Sequence, residues 1–548
     1  MGASPILKPS PKPASQKPKL GLRAWMERVL VECDHAAIGF DADAVHDLRV
    51  ALRRCRSLAD GLMAIDPDSS WKDMKKAGRK LFRALGELRD MQVMAEWIEK
   101  LGVVSDSTSD SAGDGLSGDR LSGDTVALKL LHRVRAREAE CKQRAFKDLN
   151  QFDRKQWRQW TRTLPRRASR VRPGNVVYLH LALEKWTAAC DLHKRVLRTR
   201  SHVAWHELRI GIKRFRYTVE NFLPRQHALW GDDLKELQDL LGEVHDLDVL
   251  SAMAVEAQAF PDVESRDQWR DKVNAERAKR IERYREKMVG RQSLWRVWRA
   301  ELPSGPRLRA AAMSRLRVWA GYRDPDFAHS ERVARLALLL YDGLKHAGLG
   351  TGAIMTKPEA PGVVPSDVRL DQVPPDHDWR AVLQAAALMH DVGKAKGAEN
   401  HQKDSYRMIR GLARPLGWSA RELGLAAVVA RYHRGALPHP GGRSMQLLDL
   451  ADRPIAMELA GVLRLANALD KRHGRTGHEN ESKNASQLEV SVRDRFVLVR
   501  AAGYSALDRS AEDIAAARHL LETVLLRPVL VRGLRAASRK KHPASASS

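Results

Sequence analysis

The chain has 548 residues, and its 95 Lys and Arg residues against 68 Asp and Glu residues give a formal net charge of +27. Hydrophobic residues make up 43% of it, which is enough for the cores of two or three domains and excludes a disordered protein. The excess of positive charge indicates a polyanionic partner. Aromatic residues are only 6% and do not interleave with basic motifs, which argues against single-strand stacking platforms and the common RNA-binding modules.

The cysteine pattern and the lack of long apolar runs indicate a cytoplasmic protein. The four cysteines are scattered without a Cys-x-x-Cys pair, which favours reduced thiols. No apolar run approaches the roughly 18 residues that span a membrane, and the N-terminus has no apolar signal-peptide core. We therefore predict a cytoplasmic location and no membrane contact. Residues 1–18, which are rich in Pro and Lys, and residues 536–548 are predicted to be disordered tails.

One pattern of basic residues occurs in two predicted helices about 160 residues apart. In each helix a histidine is followed by basic residues at +3, +7 and +10. At about 100° per residue this spacing confines the four side chains to an arc of about 80°, and apolar residues at matched offsets form a separate stripe. Each helix therefore has one face to bury and one face that holds a row of positive charge. The two rows are His46, Arg49, Arg53 and Arg56, and His206, Arg209, Lys213 and Arg216.

A second motif follows each basic helix and marks an internal duplication. It reads LGELRDMQVM from Leu85 and LGEVHDLDVL from Leu241. Helical periodicity predicts two sets of four helices, as in a pair of four-helix bundles, with a flexible Ser/Asp/Gly-rich insertion at 104–125. The predicted helices cover about 20–38, 43–64, 71–101 and 126–150, then 177–200, 203–223, 231–258 and 266–290.

These features resemble the CHAD family, helical domains named for their histidines and built as two related four-helix halves. The resemblance covers about residues 20–300; we assign the domain to 19–300, with repeats at about 19–150 and 175–290. It implies that inorganic polyphosphate binds in a positively charged channel between the halves. The helix over 71–101 adds a further basic row, so two neighbouring helices would line the groove. The residues expected to bind polyphosphate are His46, Arg49, Arg53, Arg54, Arg56, Lys72, Lys76, Arg79, Arg83, His206, Arg209, Lys213, Arg214 and Arg216.

From about residue 309 the histidines occur in a pattern typical of a metal site. A tandem His390-Asp391 at a helix end, with His329 on an earlier helix, offers two imidazoles and a carboxylate to a divalent metal. The remaining candidates are His401 and His433, for a second metal or for phosphate, and Lys394, Arg434 and Arg464, for phosphate.

Four segments of this region, HDVGK, NHQKDS, ARYHR and LRLANALD, resemble the HD phosphohydrolase superfamily. The resemblance is strongest to the HD-type C-terminal domain of the exopolyphosphatase/guanosine pentaphosphate phosphohydrolase family, and we assign the domain to 309–535. A Gly/Pro-rich insertion at 350–378 either covers the site or is a tolerated loop. An alternating stretch before the last helix predicts a short hairpin. The predicted fold is mainly α: duplicated four-helix bundles followed by an α-helical HD-type domain with a small C-terminal β-hairpin.

Three departures from that family bear on activity. The actin-like domain that carries catalysis in exopolyphosphatases is replaced here by the CHAD-like half. Asn467 stands where HD enzymes have an aspartate ligand, and its carbonyl oxygen lacks the charge that anchors a dication. Asp404 stands where the related family often has a second histidine, and Asp470 lies one turn beyond Asn467. The resemblance implies this ligand set, for Mn, Mg or another divalent ion: His329, His390, Asp391, His401, His433 and Asn467.

Three hypotheses about function follow. The leading one is a polyphosphate-binding protein whose HD-type domain binds or senses a phosphate ligand. The alternative is a metal-dependent phosphohydrolase acting on polyphosphate or a phosphorylated nucleotide, with Asp391 and Lys394 as catalytic residues; enzyme activity is left open at this point. A nucleic-acid-binding protein is the third, on charge alone. The resemblance suggests a bacterial cytoplasm and polyphosphate granules as the location, and it leaves the oligomeric state open.

Overall fold

The computed structural model describes residues 21–38, 40–103, 125–350, 378–470, 488–502, 504 and 510–534. Over these ranges the chain is mainly α-helical, with 19 α-helices and one three-stranded sheet, which confirms the predicted fold class. It divides into two compact units, one of residues 1–64 and 68–301 and the other of residues 65–67 and 302–548. No helix in the described ranges is long and apolar enough to cross a membrane. The predicted tails at 1–18 and 536–548 lie outside the described residues, as do 104–124 and 351–377, which make up most of the two predicted insertions.

Eleven helices form the described part of the first unit. They are α1 (Leu22–Ile38), α2 (Ala42–Leu62), α3 (Ser70–Ala77), α4 (Arg79–Val103), α5 (Thr125–Asn150), α6 (Arg154–Ala168), α7 (Val176–Thr199), α8 (His202–Phe222), α9 (Pro224–Glu256), α10 (Val263–Met288) and α11 (Leu294–Glu301). In the first half α1 packs on α2 and α4 packs on α5, and in the second half α7, α8, α9 and α10 pack in that order. The two halves meet where α2 packs against α8 and where α4 packs against α9.

The two basic helices, α2 and α8, begin at equivalent capping residues. The Asp41 carboxylate accepts a hydrogen bond from the backbone N–H of Ala44, and the Ser201 hydroxyl accepts one from the N–H of Ala204. These caps satisfy donors that a helix start otherwise leaves unpaired. The apolar stripes of both helices are buried as predicted, so the basic faces point away from the core. The fully buried residues of these stripes include Leu48, Leu52 and Cys55 in α2, and Leu208, Ile212 and Phe215 in α8.

The predicted helix over 71–101 is two helices, α3 and α4, separated at Gly78. The backbone of Gly78 has ψ near 1°, and its N–H still donates to the carbonyl oxygen of Met74. Glycine is a poor helix former, so the helix breaks at this residue at low cost. Trp71 and Met74 of α3 are fully buried. The basic row predicted on one helix is therefore shared between two.

Each half ends in a helix that the periodicity does not predict, α6 in the first half and α11 in the second. Helix α6 packs against α1 and α3, and α11 packs against α7 and α10. Both contain the motif Trp-Arg-x-Trp, and all four tryptophans are buried. The indole N–H of Trp157 donates to the carbonyl oxygen of Met26 in α1 at 3.0 Å. The duplication therefore includes a tryptophan helix that closes each half. The four tryptophans are Trp157, Trp160, Trp295 and Trp298.

The described part of the second unit contains eight α-helices, a short 3-10 helix and three strands. They are α12 (Gly305–Gly321), α13 (Phe327–His346), α14 (Trp379–Met389), the 3-10 helix (Val392–Ala395), α15 (His401–Arg410), α16 (Ala420–Arg431), α17 (Arg443–Gln446), α18 (Asp452–Asp470), β1 (Leu488–Val492), β2 (Val497–Ala501), α19 (Ser510–Leu525) and β3 (Val529–Gly533). Helix α18 packs against α13, α14, α16 and α19, and most of its residues are buried. A helix apolar on nearly all sides belongs at the centre of a domain, and the polar residues it buries need partners there.

The predicted hairpin is present as β1 and β2, which pair antiparallel from Leu488 opposite Ala501 to Val492 opposite Val497. A third strand, β3, pairs parallel to β2, from Val497 beside Val529 to Ala501 beside Gly533. Helix α19 is the crossover that a parallel connection requires. The sheet order is β1-β2-β3.

Candidate functional site

The packing of α2 against α8 brings the two basic rows together. Two polar contacts join these helices: the Asn221 amide donates to the Ser57 hydroxyl at 3.0 Å, and Arg54 forms an ion pair with Glu220 at 2.6 Å. Burial alone would raise the pKa of Glu220, but a hydrogen bond with His227 and the guanidinium groups of Arg54 and Arg216 outweigh it and lower that pKa to about 2. The duplicated helices therefore meet through a paired carboxylate at one point of their contact.

Four cations, the cation cluster of Arg49, Arg53, Arg209 and Lys213, lie along this contact and act on one another. Burial and the three neighbouring guanidinium groups lower the pKa of Lys213 to about 8. The buried Nε atoms of Arg49 and Arg53 have no hydrogen-bond partner among the described residues. Buried donors are normally paired, and charged ones cost most when they are not. The cluster therefore has the properties of an anion-binding site.

Two aspartates from the repeated Leu-Gly-x-x-x-Asp motif face the cation cluster. They are Asp90 in α4 and Asp246 in α9, and both interact with Arg49 and Arg209. Burial outweighs these cations and raises the pKa of both, that of Asp246 to about 6. Two acids cannot neutralise four cations even when both are ionised, and their raised pKa values reduce their negative charge further, so positive charge remains for a ligand.

Three of the residues expected to bind polyphosphate form contacts within the protein instead. Arg54 and Arg216 lie 2.6 and 4.0 Å from the carboxylate oxygens of Glu220, and Arg56 donates to the carbonyl oxygen of Lys75 at 2.7 Å. Arg54 and Arg56 connect helices and Arg216 pairs within α8, and helical spacing alone did not distinguish these arginines from the cluster. The other residues expected to bind polyphosphate differ in exposure. His206 is half-buried, and the exposed ones are His46, Lys72, Lys76, Arg79, Arg83 and Arg214.

His245 is a site residue that sequence reasoning did not single out. Its Nδ1 lies 3.3 Å from Nδ1 of His206, and burial, together with Arg209, lowers its pKa to about 4. It occupies the position of Arg89 in the other copy of the motif, where Arg89 interacts with Arg49. Aligning the two motifs residue by residue would have found it. At neutral pH the end of the cluster beside Arg89 therefore has a further positive charge that the end beside His245 lacks.

In the second unit, the HDVGK motif joins α14 to the 3-10 helix and places His390 and Asp391 at the junction. Gly393 permits this arrangement, because a Cβ there would lie 2.1 Å from the carbonyl oxygen of His401. The N–H of Gly393 also donates to the hydroxyl of Ser405 at 2.9 Å. The start of α15 is thus held against the motif, which brings His401 to Asp391.

Asp391 is the centre of a group of imidazoles. Its Oδ2 lies 3.4 Å from Nε2 of His390 and 3.7 Å from Nε2 of His329. Its Oδ1 lies 3.0 Å from Nε2 of His401 and 3.6 Å from Nε2 of His433. Burial alone would raise the pKa of Asp391, but the surrounding imidazoles and the paired ammonium of Lys394 hold it well below its usual range.

Three of these histidines place Nδ1 against a backbone carbonyl oxygen. The distance is 2.7 Å to the carbonyl oxygen of Ala387 in His390 and 2.8 Å to a carbonyl oxygen in both His401 and His433. A carbonyl oxygen only accepts, so Nδ1 carries a proton in each, and Nε2 is the atom that faces Asp391. Nε2 of His401 and Nε2 of His433 are 3.3 Å apart, a distance at which one ion could contact both. Nε2 of His390 is buried without a partner among the described residues.

This donor set fits a divalent metal. The Nε2 atoms of three imidazoles converge on one carboxylate, and a divalent cation would coordinate these atoms together. Two groups of residues each have their ligand atoms within 4.8 Å of one another. One group is His329, His390 and Asp391, and the other is Asp391, His401 and His433. Asp391 belongs to both. Imidazole-rich sets favour transition metals over Mg²⁺, which prefers oxygen ligands.

His329 is held differently from the other three. Its Nδ1 lies 2.5 Å from Oδ2 of Asp470 and its Nε2 lies 3.0 Å from Oδ1 of Asn467. Arg332 in turn donates to both oxygens of Asp470, at 2.8 and 3.0 Å. Asn467 therefore occupies the site without the charge of an aspartate. Asp470 faces the site too, and sequence analysis had left its direction open. The structure brings all six predicted ligands and Lys394 together.

Family models match two parts of the chain. The model of the CHAD domain matches residues 22–255, and the model of Ppx/GppA phosphatase, domain III, matches residues 322–511. Among solved structures, a crystal structure of the CHAD domain from the plant Ricinus communis is similar, with 18% identity and a TM-score of 0.32, over 51% of this chain and 88% of that chain. No curated protein matches the chain.

Proposed function

The chain joins a CHAD domain to a Ppx/GppA phosphatase domain III, and from this we propose that it binds inorganic polyphosphate. The observation that carries the proposal is the cation cluster between α2 and α8, with its buried, unpaired guanidinium donors. Both domain families support a polyphosphate-related function.

The chemistry of the cluster suits this ligand. Polyphosphate repeats one charged unit and has no bases, so a receptor needs only cationic donors at a repeated spacing. The duplication supplies that repeat, since Arg49 and Arg53 in α2 are matched by Arg209 and Lys213 in α8. Guanidinium groups bind phosphate oxygens bidentately, which would use the Nε donors that now have no partner.

The test is binding of long-chain polyphosphate to the double variant R49Q/R209Q. Two charge-assisted contacts of about 1.5 kcal/mol each correspond to a loss of about 100-fold in affinity. The control is R270Q/R285Q, which removes the same charge from arginines already paired with acids on α10. Equal affinity of R49Q/R209Q and wild type would refute the proposal, as would displacement of polyphosphate by duplex DNA at equal phosphate concentration.

A second candidate function is metal-dependent hydrolysis of a phosphate ligand by the second unit. The imidazole Nε2 atoms gathered around Asp391 favour it. Asp391, His390, His401 and His433 would hold the metal, and the imidazole-rich set favours an ion such as Mn, Fe, Co or Zn. A divalent ion supplies Lewis-acid polarisation of a phosphoryl group. The ammonium group of Lys394 pairs with Asp391 and partly neutralises its charge.

Two measurements on the same samples separate hydrolysis from sensing. The protein is incubated with polyphosphate and each metal, then metal content and polyphosphate chain length are measured. For hydrolysis we expect shortened chains with wild type and intact chains with H390A/D391A. If the wild type binds metal and leaves the chains intact, the second unit is a binding or sensing domain. A cytoplasmic location at polyphosphate granules belongs to the same proposal.

A further inference from the structure

Helix α6 carries a second set of cations that the duplicated rows do not include. Four of them, the α6 row of Lys155, Arg158, Arg162 and Arg166, are exposed. At about 100° per residue they lie within an arc of about 80°, and they extend over about 16 Å of the helix. The helix contains no acidic residue. Its apolar face is buried in the first unit, so only this charged face is available to a partner.

No acidic group among the described residues pairs with the α6 row. The other cations of α6 are used in the fold, since Arg154 pairs with Asp34 and Arg167 lies 3.1 Å from Asp68. Helix α10, the other highly charged helix, shows what an ordinary solvated face looks like in this protein, because three of its exposed cations pair with acids three positions earlier. Those pairs are Arg270 with Asp267 (3.4 Å), Lys279 with Glu276 (2.6 Å) and Arg285 with Glu282 (3.6 Å).

The fold does not require the α6 row. In the equivalent helix α11 the tryptophans recur because they pack the core, but only one of three matched cations does. The positions that match Lys155, Arg158 and Arg162 are Ser293, Arg296 and Ala300. Four unpaired cations on one face repel one another, which lowers stability, and no ion pair among the described residues offsets the repulsion. A bound polyanion would remove that cost.

We propose that the α6 row is an external contact for polyphosphate, separate from the cation cluster between α2 and α8. This rests on the proposed polyphosphate binding. A short chain occupies only the cluster, with its buried donors, while a long chain also reaches exposed cations on the same molecule or on a second one. The second contact acts at a high effective concentration, so it raises affinity for long chains alone.

The experiment compares two quadruple variants of the full chain. K155Q/R158Q/R162Q/R166Q removes the α6 row, and R270Q/K279Q/R283Q/R285Q removes four paired cations of α10 at equal net charge. Affinity is measured for tripolyphosphate and for long-chain polyphosphate over a range of salt concentrations. For the α6 variant we expect unchanged tripolyphosphate affinity, long-chain affinity lowered at least 10-fold, and a salt slope reduced by up to about 3, as four contacts imply for a single-stranded polyanion. The α10 variant should match wild type.

Several outcomes would overturn the proposal. They are unchanged long-chain affinity of the α6 variant, equal losses in the two quadruple variants, and a loss of duplex DNA binding without a loss of polyphosphate binding, which would make the row a nucleic-acid contact. The variant R158K/R162K/R166K keeps the charge and should keep long-chain binding, which separates charge from folding. If R49Q/R209Q leaves tripolyphosphate binding unchanged, the proposed function fails by itself, whatever the α6 row does.

Discussion

Replacing Lys213 with methionine should stabilise the folded chain at pH 7 while weakening polyphosphate binding. The pKa of Lys213 is about 8 in the folded chain, against an ordinary value of 10.5. At pH 7 the ammonium is charged in both states, and the folded state holds its proton less tightly, so the charge opposes folding. This difference corresponds to about 3 kcal/mol, and partial exposure reduces it, so we expect a gain of about 1–3 kcal/mol in unfolding free energy.

Urea unfolding at several pH values tests this reasoning. Between pH 8 and 10.5 the unfolded chain still binds the Lys213 proton and the folded chain does not, so wild-type stability should rise with pH relative to K213M. Below pH 8 the difference between the two proteins should be constant. K213R stays charged and should keep its polyphosphate affinity above pH 8, where wild type loses affinity. A K213M protein less stable than wild type at pH 7 would refute the account of the cluster.

Three further predictions concern the paired groups. E220Q leaves Arg54 without its partner, so we expect a loss of about 2–4 kcal/mol in unfolding free energy at pH 7; unchanged stability in urea would contradict the role of that ion pair. D470N removes the group that orients His329 and should weaken metal binding about 10–100-fold, measured by competition with a chelator, whereas equal affinity would exclude an orienting role. A chelator should lower the Tm of the metal-loaded wild type and leave D391N unchanged; a Tm insensitive to chelation in both would argue against a bound metal.

The sequence predicts most of the helices for physical reasons, and it indicates which residues gather at the candidate metal site. Periodicity determines which face of a helix is apolar, so the stripes of α2 and α8 are buried as expected. The resemblance to the HD superfamily suggested the candidate metal ligands, and the structure brings them together around Asp391. The division of the predicted helix at Gly78 could not be predicted, since a glycine inside a helical pattern weakens the helix but does not require a break.

The division of the basic rows between ligand and protein contacts could not be predicted. Spacing along a helix says which residues share a face, but the partner of each residue depends on the helix that packs opposite. Arg56 and Arg216 share the face of the cluster residues, yet one binds a carbonyl oxygen and the other faces Glu220. Asp470 posed the same problem. Its place one turn after Asn467 was visible, whereas its contact with His329 depends on how α18 packs against α13.

The close approach at Gly393 has a consequence for reading related chains. The candidate metal ligands all have side chains that a sequence comparison would find, but their spacing depends on a residue that has none. Alanine at position 393 would put a methyl group 2.1 Å from the carbonyl oxygen of His401 and 2.6 Å from the backbone nitrogen of Ser405, so α15 would have to move. A relative that keeps every histidine and the aspartate but lacks this glycine would therefore have a displaced His401 and a poorer metal site.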